Sequence, residues 1–318
     1  MKKFNNIVSV LVVLLICTAC SSNKTETDKG GYLSFINTYL YSQDGETEVF
    51  KSDIYFLDIE NNTTELKATI PFEKDYPLGI YWELKDSIIY SGISKDVYGN
   101  QVWIKDLKAN ETKRLTDQFA NLAYLQIISD DLLLIGGVTN TEDGGAINFW
   151  EMNLNTFELS ALDFDSDIDI RNITYDSENH SVLFTGYSYT ELRKQLDNQQ
   201  TGTFENPKQL VYEYKDGKVR KIFTPKNNTI YGLMAIDNTI LYNAGSTINC
   251  YDRIKNEACS TGLSFLENPY FDHITRRIYS TDKNTVYFTT DGSLKKEMVF
   301  ENNYEFNAVN NMFYIPRQ

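Results

Sequence analysis

The segment Asp-Phe-Asp-Ser-Asp-Ile-Asp-Ile, residues 163–170, carries the densest array of potential ligands in this chain, with Asp163, Asp165, Asp167 and Asp169 at alternate positions. In an extended strand all four carboxylates would point to one side and repel one another. A hard cation such as calcium, bound by oxygen ligands at alternate positions, would relieve that repulsion. The glycine and the downstream bidentate glutamate of a calcium-binding loop are missing, so the competing expectation is a solvated acidic connection between strands. Other chemistry has little to build on. The two histidines, His180 and His273, belong to no cluster with metal-ligand spacing, and each is expected in a structural or solvent-exposed role. No Gly-x-Ser-x-Gly elbow, phosphate loop or dinucleotide fingerprint occurs, so no catalytic residue is assigned and no cofactor beyond that calcium is expected.

Four cysteines are present. Cys250 and Cys259 lie in Ser-Thr-Ile-Asn-Cys-Tyr-Asp-Arg-Ile-Lys-Asn-Glu-Ala-Cys, and a hairpin turning at residues 253–256 would set them opposite each other, within reach of a disulfide. The alternative is a pair of small thiols. The other two cysteines follow a signal-like start: Lys2 and Lys3, then an apolar run over residues 7–16 that is short for a bilayer span. Cys17-Thr18-Ala19-Cys20 resembles the lipobox of bacterial lipoproteins, with Cys17 where leucine is usual. That resemblance implies removal of residues 1–19, diacylglycerol on the Cys20 thiol, and a cell-membrane location on the extracytoplasmic side of the envelope. Residues 20–30, polar after the cysteine, read as a flexible tether, leaving residues 31–318 as one domain. Loss of Lys2 and Lys3 takes the net charge from −14 to −16, which argues against nucleic acid and against flat adsorption on anionic lipid.

The elements that must position these residues repeat. Six stretches begin at Asp53, Gln101, Asn148, Gln209, Ser246 and Asn284. Each reads as an alternating aromatic and β-branched strand, a polar turn, and a second amphipathic strand. Gln-Val-Trp-Ile-Lys-Asp-Leu-Lys-Ala-Asn-Glu-Thr-Lys-Arg-Leu-Thr, residues 101–116, is the clearest copy. Two further strand-like runs fill each interval, as at residues 78–84 and 86–92. Four short strands per unit, repeated at propeller spacing, predict an all-β fold: a β-propeller of six four-stranded blades. The runs at 304–310 and 311–317 read as two inner strands and residues 32–42 as one more. The ring is therefore expected to close with strands from both chain ends, and one surplus strand leaves a seventh, incomplete blade open. Only residues 189–199 suit a helix of any length.

The 101–116 copy is similar to the outer hairpin of the TolB-like, WD-repeat-like propeller family, whose repeat runs hydrophobic strand, Asp-Leu, polar turn, Arg-Leu-Thr. Residues 173–187 resemble its inner half, with Asp176-Ser177-Glu178-Asn179 in place of the family's Pro-Asp-Gly turn.

In such a ring, the connections from one blade to the next share a face with the loops between second and third strands. The longest of those loops, residues 187–208, would join the acidic stretch there, with Tyr187, Tyr189 and Phe204 as aromatic anchors. The leading expectation is a monomeric binding scaffold for an envelope protein or glycan. The alternative is a hydrolase or lactonase-type enzyme with an acidic, calcium-assisted site at the channel mouth.

Overall fold

The computed structural model describes residues 30–42, 49–72, 77–140, 145–199, 204–226, 229–244, 247–262, 267–290, 295–305 and 307–317. The expected signal segment 1–19, Cys20 and all of the tether except Gly30 lie outside them. In chain order the strands are β1 (Gly31–Tyr41), β2 (Val49–Asp58), β3 (Thr63–Ile70), β4 (Gly79–Trp82), β5 (Ser87–Ile93), β6 (Asn100–Asp106), β7 (Glu111–Arg114), β8 (Phe119–Ser129), β9 (Leu132–Thr139), β10 (Asn148–Asn153), β11 (Leu159–Ala161) and β12 (Ile168–Asp176). They continue as β13 (Ser181–Ser188), β14 (Leu210–Lys215), β15 (Lys218–Phe223), β16 (Gly232–Ile236), β17 (Thr239–Ala244), β18 (Thr247–Asp252), β19 (Glu257–Cys259), β20 (Glu267–Asp272), β21 (Arg277–Asp282), β22 (Thr285–Thr290), β23 (Glu297–Glu301) and β24 (Ala308–Pro316). They form six four-stranded antiparallel sheets, the blades of a propeller. Five are consecutive runs of four strands, and the blade of β1–β3 takes β24 as its innermost strand, so the chain ends close the ring.

The seventh blade does not form. The runs expected as two strands at 304–310 and 311–317 are one strand, β24, interrupted by a bulge. Asn311 sits in the left-handed region at φ 40° and drops out of the register, Met312 pairing with Phe35 and Asn310 with Ile36. One extra residue breaks the period-2 pattern and looks like a strand boundary in sequence.

Repetition in sequence reflects repetition of one turn. Asp106 Oδ1 accepts hydrogen bonds from the backbone N–H groups of Lys108 and Ala109, both at 2.8 Å, and Asn110 leaves the turn at φ 54°. Asp58 and Asp252 build the same turn, closed by Asn62 at φ 52° and Asn256 at φ 59°. A short acceptor at the first position and a residue tolerant of positive φ at the fifth are what the turn needs. Asp176 starts a turn of this kind between β12 and β13, and His180 holds its left-handed place at φ 48°.

In two of the outer hairpins the polar residue that opens the hairpin latches its blade to the next. Gln101 is fully buried; its Nε2 donates to the Phe119 carbonyl at 2.7 Å, and its Oε1 accepts from Thr116 Oγ1 at 3.0 Å. Gln209 repeats the role one blade pair on, its Oε1 accepting from Ile230 N at 2.7 Å. Val102 is buried, and Trp103, Ile104 and Leu115 also pack against the core. Both faces of the hairpin are apolar because a blade has a neighbour on each side.

Chain direction defines two faces. The turns joining first to second and third to fourth strands, together with both ends of the described chain, lie on one, the turn face; Gly31 pairs with Pro316 there. Connections between blades and between second and third strands lie on the other, the loop face. Near the turn face the axis is filled: Tyr314 stacks on Tyr175 with ring centroids 5.6 Å apart, donates through its hydroxyl to Asp272 Oδ1 at 2.9 Å, and accepts at its carbonyl from Gln126 Nε2 at 2.6 Å.

Candidate functional site

The loop face gathers what does not repeat. The insertion between β13 and β14 starts with helix α1 (Tyr189–Gln199). Its N-terminus is fixed from two directions. Ser188 Oγ accepts from Glu191 N at 3.0 Å and donates to Asp167 Oδ2 at 2.6 Å, and Thr190 N donates to Asp167 Oδ1 at 2.8 Å. These bonds, with that from Ser188 foremost, hold the Asp167 carboxyl below the usual carboxylate range. Ser-Tyr-Thr-Glu, residues 188–191, is a capping-box pattern legible in sequence.

The acidic run is therefore not an extended array. Residues 163–167 form bends and a turn, and the strand begins only at Ile168. Asp165 Oδ1 accepts from Asp167 N at 3.0 Å, Asp167 caps α1, and buried Asp169 accepts from Ile147 N at 2.8 Å and pairs with Arg171 at 2.6 Å. Backbone donors and an arginine relieve the repulsion that calcium was expected to relieve. Among the described residues no three His, Cys, Asp or Glu side chains group as a metal site.

The expected anchors separate. Tyr187 is half-buried, and its hydroxyl accepts from Arg171 Nε at 3.0 Å; burial above all pushes its pKa up. Tyr189 opens α1 and its N–H donates to the Asp167 carbonyl at 2.6 Å. Phe204 alone of the three is exposed. His180 and His273 meet on the turn face with ring centroids 6.4 Å apart, and the Tyr175 hydroxyl lies 3.5 Å from His180 Nδ1. Cys250 and Cys259 are paired residues of β18 and β19, with Cα atoms 5.1 Å apart and sulfur atoms in bonding contact.

Two cavities that sequence reasoning missed open on the loop face. A cleft of about 570 Å³ between the β16–β19 and β20–β23 blades is walled by Tyr231, Asn243, Glu267, Asn268, Thr281 and Asp282. A smaller cavity of about 130 Å³ occupies the mouth of the central channel; it shares Tyr231, Gly232 and Asn268 with the cleft and adds apolar wall from Ile173, Leu233, Met312 and Phe313. Among the described residues no carboxylate lines this mouth. Asn172 Nδ2 bonds the Ile230 carbonyl at 2.7 Å and Asn311 Nδ2 the Pro77 carbonyl at 2.7 Å, so left-handed bulges of inner strands join blade to blade around the mouth. The one sequence signal for the cleft was Tyr231, an aromatic residue standing just before its strand.

By its six four-stranded sheets this chain is a six-bladed β-propeller. It is similar to the crystal structure of TolB from Acinetobacter baumannii, at 15% identity and a TM-score of 0.54, over 90% of this chain and 67% of that one. It is also similar to a chain in the crystal structure of a nidogen/laminin complex, at 12% identity and a TM-score of 0.55, over 90% of this chain and 99% of that one. Identities this low show a shared fold. No family model matches the sequence, and no curated protein matches it.

Proposed function

We propose that this chain is a lipid-anchored propeller of the cell envelope that binds another protein on its loop face. The observation that carries this reading is the distribution of exposed aromatic side chains. Phe50, Phe72, Tyr98, Phe204, Tyr231 and Tyr304 are the exposed phenylalanines and tyrosines among the described residues, and every one stands at a strand end or connection of the loop face. Tyr98 and Tyr231 are 80% and 65% exposed. Exposed large aromatic residues concentrated on one face are the composition of a protein-binding surface. The turn face exposes the aliphatic Leu84, Ile254 and Ile274 instead.

The proposed anchor fits this polarity. Gly30 enters the ring on the turn face, its carbonyl accepting from Arg317 N at 3.2 Å. A tether from Cys20 reaches at most roughly 35 Å at ~3.4 Å per residue. It would hold the turn face toward the membrane and present the loop face outward. With residues 1–19 replaced by a signal segment cleaved independently of Cys20, Cys20→Ala is expected to move the protein from the membrane fraction to the soluble one, since the polar tether supplies no other attachment. Retention at the membrane would overturn the lipid-anchor reading.

The binding face is tested by deleting residues 189–206. In-cell crosslinking should then recover at least about tenfold less partner, while the thermal unfolding midpoint holds, because the insertion adds no strand to any blade. Undiminished recovery would remove the loop face from the proposal.

A further inference from the structure

The cleft between the β16–β19 and β20–β23 blades has a one-sided chemistry. Glu267 and Asp282 are exposed at its wall, and among the described residues neither forms an ion pair and no lysine, arginine or histidine lines it. Thr281 Oγ1 and Asn268 Nδ2 are committed to each other at 3.2 Å, and Thr281 Oγ1 also lies 3.3 Å from the Glu267 carbonyl. Asn243 Oδ1 is buried in the same wall with no hydrogen-bond partner. The surplus is therefore of acceptors and negative charge, which a donor-rich cation satisfies. Tyr231 lines the same cleft, its backbone held by a 2.9 Å bond from its N–H to the Asn243 carbonyl, and an exposed aromatic ring at the wall adds attraction for the same class of ligand. A neutral sugar would leave the charge of Glu267 and Asp282 uncompensated. Beside the cleft, the channel mouth shares its wall and sets the apolar Ile173, Leu233, Met312 and Phe313 among the side-chain amides of Asn172, Asn268 and Asn311.

We propose that the cleft takes a lysine or arginine side chain of the partner protein, and that the channel mouth takes an aliphatic side chain next to it. This inference rests on the loop face being the binding face, and it adds what that face selects: an exposed segment in which a basic residue neighbours an aliphatic one. Charge complementarity chooses the occupant of the cleft, and the apolar side of the adjoining mouth favours an aliphatic neighbour.

The test uses the purified soluble domain and a fluorescein-labelled Gly-Lys-Leu-Lys-Leu-Gly amide, read by fluorescence anisotropy at about 0.15 M salt, where fields from distant charges are screened. Glu267→Gln with Asp282→Asn, both exposed and isosteric, should weaken the peptide at least about tenfold. Glu60→Gln with Glu257→Gln, which removes equal charge on the turn face, should change binding less than about twofold. Tyr231→Ala and a norleucine-for-lysine peptide should each lose binding as well. Equal weakening by the two charge pairs would show that only the general field of an acidic protein was at work and would overturn the proposal. So would an absence of peptide binding to the wild type, or displacement of the peptide by chitotetraose at the same residues. Deleting residues 189–206 removes none of the cleft wall, so the loop-face reading stands or falls on partner recovery whatever the peptide does.

Discussion

Removing the chain from Ala308 onward is expected to leave no folded propeller. Strand β24 is the innermost strand of its blade and pairs along β1 from Gly31–Pro316 to Thr38–Ala308. Met312, Phe313, Tyr314 and Ile315 are each at most 3% exposed. At about 1.5–3 kcal/mol for each fully buried large side chain, their loss amounts to roughly 6–12 kcal/mol. Stability for a domain is typically about 5–15 kcal/mol, so the deletion consumes most or all of it. It also uncovers an inner edge of β1, a template for association between chains. The axis loses its filling at the same stroke, because Tyr314 is the residue stacked on Tyr175 and bonded to Asp272 and Gln126. The check is urea unfolding followed by near-ultraviolet circular dichroism: the truncated chain should show no cooperative transition and should aggregate. A native-like spectrum with a cooperative midpoint would mean that the ring closes without β24.

Arg253→Met should cost about 3 kcal/mol, a large effect for one residue outside the apolar core. Arg253 comes from the turn between β18 and β19, and it reaches across the blade boundary to two carboxylates that are each 2% exposed, Asp176 and Glu213. Its Nη1 lies 2.8 Å from Asp176 Oδ2 and 3.8 Å from Glu213 Oε1. Removing one partner of a buried ion pair strands the other charge, at about 3–5 kcal/mol. The lower end applies here because each carboxylate keeps other donors. Glu213 retains Arg220 at 2.6 Å and Ser181 Oγ at 3.0 Å, and Asp176 retains two backbone N–H groups of its own turn. Nε and Nη2 of Arg253 are buried without partners, so the intact cluster is itself imperfectly satisfied. Adding Asp176→Asn to the Arg253→Met variant should then recover part of the loss, since the stranded charge is gone. Denaturant midpoints of the single and double variants give the coupling directly. A loss below about 1 kcal/mol would show that water, and not the arginine, solvates these carboxylates.

The stretch 101–116 shows how much of the molecule its sequence determines. Alternation over residues 101–106, then an aspartate and an asparagine four positions apart, specify a strand, a turn with one left-handed residue, and a return strand; each is a local preference of the backbone. Because Asp58, Asp106 and Asp252 repeat that pattern at blade spacing, the propeller follows from the chain alone, while the choice between six and seven blades waited on β24. The helix at 189–199 was legible for the same reason, with its cap in the four residues 188–191.

The seventh blade and the extended carboxylate array failed where local reading assumes an unbroken extended chain. A bulge at Asn311 merged two runs into one strand, and the turn at residues 163–167 turned an array of carboxylates into caps and one ion pair. Neither is written in alternation, because each is decided by what the neighbouring blade or helix offers as a partner. The cleft is the extreme case. Tyr231 and Asp282 are 51 residues apart in the chain and share one wall only because two blades stand side by side. Local periodicity determined the blades. The faces that turn outward, the charges that meet between blades and the cavity that remains were set by closure of the ring, a non-local event that fixes where strand ends lie relative to one another.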